Sequence, residues 1–95
     1  MRVKLYRNIF FHSAETGLIA KEVVKEYDGV PPIKGAVLED SAWHRNDEVL
    51  VDSILINTDE PDCYHVDLTP KEADSAERVK SYAEMTELHG WKPLY

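Results

Sequence analysis

The segment Glu48–Leu68, EVLVDSILINTDEPDCYHVDL, limits the fold more than any other part of the chain. In an extended conformation Val49, Val51 and Leu55 fall on one face, and Leu50, Ile54 and Ile56 on the other. Apolar side chains on both faces are expected of a central strand, which is covered from both sides. Asn57–Asp62 breaks the pattern with turn formers and a proline. The chain resumes at Cys63–Leu68 with strict alternation. Tyr64, Val66 and Leu68 face one way and Cys63, His65 and Asp67 the other, giving one buried and one polar face. The whole reads as a β-hairpin carrying most of the core.

Arg2–His12 alternates too. Val3, Leu5, Ile9 and Phe11 oppose Lys4, Tyr6, Asn8 and His12, with Arg7 interrupting the apolar face and Phe10 the polar one. Ser13–Gly17 reads as a hairpin turn in which Gly17 takes a left-handed conformation. Leu18–Tyr27 fits both helical and extended periods, because Ile19, Val23 and Tyr27 are spaced by four. A preceding glycine suits a hairpin exit better than a helix start, so a strand is expected, with Lys21 and Lys25 placed as on an edge. Pro31–Pro32 ends it. Ile33–Leu38 is a short apolar piece, a candidate third strand with Gly35 permitting a bend. Trp43, in the polar loop Glu39–Asp47, is a lid over the core or an exposed anchor, and the lid is favoured.

Thr69-Pro70-Lys71-Glu72 has the form of a capping box, with Thr69 as N-cap and Pro70 at the first helical position. The helix is expected from Pro70 to about His89, stopping at Gly90. Its buried stripe would be Ala73, Ala76, Val79, Tyr82, Ala83 and Thr86, and Glu72, Asp74, Glu77, Glu84 and Glu87 leave the rest acidic. Trp91, Pro93, Leu94 and Tyr95 form an apolar tail that folds back or docks a partner. Fold-back is favoured, since burying a large apolar side chain contributes roughly 1.5–3 kcal/mol.

Ninety-five residues correspond to a single domain, 1–95. One cysteine excludes an intramolecular disulfide, and with no signal-peptide pattern the cytoplasm is the expected compartment. No apolar run approaches a membrane span. Residues 1–38 carry a charge of +2 and residues 39–95 a charge of −9, within the net −7. That balance opposes binding to phosphate backbones or anionic lipid and suits a basic partner or simple solubility.

Cys63-x-His65-x-Asp67 places three metal-ligating side chains on one strand face, with His44 and Asp47 able to approach from the preceding loop. Same-face neighbours on a strand sit nearly 7 Å apart, which opposes a shared ion. Asp59, Glu60 and Asp62 lack the spacing and glycine of a calcium loop. Cys63 has acidic sequence neighbours, unlike an activated nucleophile. There is no phosphate-binding glycine loop, no serine elbow and no basic aromatic ladder, so no catalytic residue and no cofactor are assigned.

The order strand, turn, strand, Val30-Pro31-Pro32-Ile33-Lys34-Gly35, Trp43, strand, Tyr64-His65-Val66 and capped helix resembles small uncharacterised bacterial and phage proteins of sheet-plus-helix build. That resemblance implies context only, with no functional residues. The expected fold is α+β: a twisted antiparallel sheet of 4–5 strands, open to curling toward a half-barrel, with one C-terminal helix packed on it. The leading functional expectation is a non-catalytic, acidic interaction protein. It would bind another protein, basic or itself nucleic-acid-binding, through Glu77, Glu84, Glu87, Trp91, Leu94 and Tyr95. The alternative is a small-molecule or metal-binding domain built on the Trp43–His44 loop and on Cys63, His65 and Asp67. Homodimerisation through the edge of strand 18–27 is a further expectation.

Overall fold

A computed structural model describes residues 1–44 and 46–95. Two long strands, β1 (Arg2–Ser13) and β2 (Gly17–Asp28), form an antiparallel hairpin. Its three-residue turn closes on Gly17 at φ +68°. A second hairpin joins β3 (Val51–Ile56) to β4 (Cys63–Leu68). Short strands β5 (Lys71–Glu72) and β6 (Lys92–Pro93) flank the helix α1 (Ala76–Glu87). The sheet order is β3-β4-β1-β2-β6, with β5 pairing β1 beyond the end of β4. The sheet is open, and α1 packs across one face, as an α+β fold requires.

The sheet is mixed, not antiparallel throughout. β4 runs parallel to β1, pairing Val3 with Tyr64 and Leu5 with Val66. The long segment 29–50 makes this feasible, because a parallel arrangement needs a connection of a dozen or more residues. It also aligns the buried side chains of β4 with those of β1, so Val3, Leu5, Val66 and Leu68 form one stripe at 0–4% exposure. The two-sided strand of the second hairpin is consequently the edge. Leu55 and Ile56 are 63% and 58% exposed, against the expectation of a central strand. Ile33–Leu38 is not a strand and contributes one bridge, Val37 to Leu50.

The helix begins at Ala76, six residues later than expected, and Ser75 is its N-cap, accepting from the Arg78 amide at 3.2 Å. The capping-box segment is recruited by β1, which extends past β4. Lys71 and Glu72 pair with Ile9 and Phe10, and the Ala73 amide donates to the Phe10 carbonyl at 2.7 Å. Thr69 uses its hydroxyl to accept from the Leu50 amide at 3.1 Å instead of capping a helix. A strand offering unpaired ladder groups thus overrides a local cap signal worth about 1 kcal/mol. Val79, Ala83 and Thr86 form the buried stripe. After Glu87 the chain reverses at Gly90, whose φ of +90° is strained for any side chain with a Cβ. The Trp91 amide then reaches the Thr86 carbonyl at 3.1 Å. Trp91 is 2% exposed, so the tail folds back through it. No helix among the described residues is long and apolar enough to cross a membrane.

Candidate functional site

The inner face of the sheet carries a charged network under the loop Glu39–Asp47. Asp40 accepts from Lys25 Nζ at 2.8 Å, from the Ala42 amide at 2.9 Å and from the Trp91 indole at 3.1 Å. Asp47 accepts both terminal nitrogens of Arg7, at 3.0 and 3.1 Å, with Lys71 Nζ at 3.8 Å. Arg7 is 4% exposed, and its Nε donates to the Thr69 carbonyl at 3.1 Å. Burial raises both carboxyl pKa values, but the cations and hydrogen bonds outweigh it. Lys25, the Ala42 amide and Trp91 hold Asp40 below the ordinary carboxylate range, and Arg7 and Lys71 do the same for Asp47. Arg7 also lies 4.9 Å from the Trp43 ring centroid, and Trp43 meets Trp91 at 5.2 Å. The half-buried Trp43 is therefore the lid, packed against the core. A cleft of about 470 Å³ opens beside it between Arg7, His44, Lys71 and Tyr82.

The opposite face of the sheet brings a different set together. Alternation puts Tyr6 of β1 and His65 of β4 on that side, and Tyr6 Oη lies 2.9 Å from His65 Nδ1. His65 Nε2 lies 3.6 Å from a Glu60 carboxylate oxygen. Glu60, Cys63 and His65 have ligand atoms all within 4.8 Å of one another. Asp67 stands apart from this group and accepts from Ser53 Oγ at 3.2 Å. His44 lines the cleft on the helix side and does not join Cys63 and His65. Sequence reasoning placed Glu60 at a charged hairpin tip. The usable signal was the spacing Glu60-x-x-Cys63-x-His65 across a tight turn, in which the Cys63 amide donates to the Glu60 carbonyl at 3.2 Å. The Arg7–Asp47 pair carried only a weak signal, a charge interrupting an apolar face.

The third region is the outer side of α1. Glu77, Glu84 and Glu87 are exposed, with Met85 and Leu88 at 50% and 81% exposure among them. Lys80 approaches Glu84 at 4.0 Å, and Arg78 approaches Asp74 at 3.6 Å. The last turn of the helix contains no basic residue. Beyond it Leu94 and Tyr95 are 55% and 61% exposed, and the Leu94 amide donates to the Glu22 carbonyl at 2.7 Å. β6 thereby occupies the middle of the β2 edge, at Val23 and Val24.

No protein family matches this chain, and neither a curated protein nor a solved structure shows significant similarity to it.

Proposed function

We propose that this protein is a non-catalytic interaction module whose contact surface is the C-terminal half of α1. The observation carrying that reading is the placement of Glu84 and Glu87 beside exposed Met85 and Leu88 in a last turn without basic residues. Carboxylates near a helix C-terminus oppose the helix dipole and typically cost about 0.3–1 kcal/mol each. Leu88, at 81% exposure, and the half-exposed Met85 leave apolar surface in solvent there. Both features favour a partner presenting basic groups around an apolar contact, such as a nucleic-acid-binding protein whose site is occluded. Leu94 and Tyr95 stand outside that surface, since Tyr95 Oη lies 3.5 Å from the Asn8 side-chain amide on the other face of the sheet. Trp91 belongs to the core and takes no part. The proposed setting is the cytoplasm of a bacterial or phage-infected cell, on the sequence resemblance and charge alone.

The test is capture from the source cell by four tagged forms: wild type, E84K/E87K, M85S/L88S and the control D52K/D59K, which makes the same charge change elsewhere. A partner held by wild type and control, and released by both helix variants, supports the proposal. A partner held equally by all four forms, or released only by the control, refutes it.

A further inference from the structure

We infer that Glu60, Cys63 and His65 form a binding site for a divalent transition-metal ion of the zinc type. Four-coordinate zinc bonds its ligands at about 2.0–2.3 Å, which sets donor atoms about 3.3–3.8 Å apart. The three donors already lie within 4.8 Å of one another, and His65 Nε2 and Glu60 are 3.6 Å apart. Any remaining gap involves Cys63, because the His65–Glu60 separation is already in that range. Thiolate, imidazole and carboxylate together suit zinc; calcium and magnesium prefer oxygen donors.

Local structure builds this convergence. The turn that returns β3 to β4 contains the bonds Glu60 amide to Asn57 carbonyl and Cys63 amide to Glu60 carbonyl, at 2.9 and 3.2 Å. It sets Glu60 over the start of β4. Glu60 is half-buried in a turn whose other residues, Asn57 to Asp62, are all exposed. Cys63 is 1% exposed beneath it. The separation of same-face strand residues is overcome because the third ligand comes from the turn and not from Asp67, which is held by Ser53.

Tyr6 supplies the outer support that metal-binding histidines usually have. Tyr6 Oη and His65 Nδ1 are hydrogen-bonded at 2.9 Å; in the tautomer that donates from Nδ1, Nε2 keeps its lone pair and lies 3.6 Å from Glu60. Three protein ligands leave a fourth position for water.

The experiment is titration of the reduced full-length chain with cobalt(II), followed by displacement with zinc(II). One equivalent of cobalt should develop a thiolate-to-cobalt charge-transfer band and the intense ligand-field bands of a four-coordinate site. Cys63→Ser should abolish the charge-transfer band. Glu60→Gln should weaken affinity, and Tyr6→Phe should weaken it about tenfold while retaining the band. Asp67→Asn should leave affinity unchanged. Affinity should fall as pH is lowered, because ligation releases the thiol proton. Cys63 is buried, so should Cys63→Ser not fold, Glu60→Gln and Tyr6→Phe decide the outcome. Cobalt binding without a thiolate band overturns the site and assigns the metal to exposed histidines such as His12 or His44; equal affinity in wild type and Glu60→Gln overturns the three-donor site by removing Glu60 from the ligands.

Discussion

The two faces of the sheet use acidic residues in opposite ways. On the helix side, Asp40 and Asp47 each meet a full positive charge and further donors, and both carboxyls are held ionised below their ordinary range. On the open side, Glu60 meets an imidazole and lies beside a thiol. The first arrangement ties the loop Glu39–Asp47 to β1, β2 and the tail, and it leaves those carboxylates little capacity for anything else. The second contributes little to cohesion and keeps donor atoms available. Charge in this protein therefore divides by whether its partner is a permanent cation.

The largest effect expected from that division is at Asp47. Asp47→Ala leaves Arg7 buried without its counter-charge and should cost about 3 kcal/mol in urea unfolding, since breaking one side of a buried pair strands the other. A loss no larger than that of an ordinary surface substitution would break the comparison.

The acid response comes next. Because Asp40 and Asp47 have lowered pKa values when folded, their contribution is present above the ordinary carboxylate pKa. It disappears as pH falls through the depressed values. The urea midpoint of the wild type should therefore drop as pH goes below about 4. The doubly substituted Asp40→Asn, Asp47→Asn form should be less stable at neutral pH and show a flatter acid dependence. An unchanged slope would mean that other carboxylates set the acid limit.

The smallest effect is on the open face. Glu60→Gln, measured without metal, should shift stability by no more than about 0.5 kcal/mol, as at a surface site. A shift as large as that of Asp47→Ala would place Glu60 with the structural carboxylates and erase the distinction.

Where periodicity was unambiguous, the fold was legible. β1 followed from its alternation and β4 from its single apolar face, whereas β2 fitted both periods and was read as a strand from Gly17 before it. The helix C-terminus followed from Gly90, because a positive φ is a backbone demand that one residue type meets readily. Other elements depended on what lay beside them in space. Val49–Ile56 looked central, yet which strand of a hairpin becomes the edge is decided by the neighbour that adds to it, here β1 beside β4. Thr69–Glu72 had a good helix start, and β1 claimed it for pairing. The candidate sites divided along the same line. Cys63 and His65 were visible as same-face residues, whereas Glu60 joins them only through the path of a turn, and Tyr6 through a parallel pairing.

That parallel pairing also bears on how the chain acquires its structure. Tyr6 and His65, side by side in the finished sheet, are 59 positions apart in the chain. The β1–β2 hairpin is local and can form early. Its inner edge stays open until β4 arrives, since long-range closure is slow and entropically costly. During synthesis the central strand β1 therefore passes through a stage as an exposed edge, when it is most prone to pair with a neighbouring nascent chain.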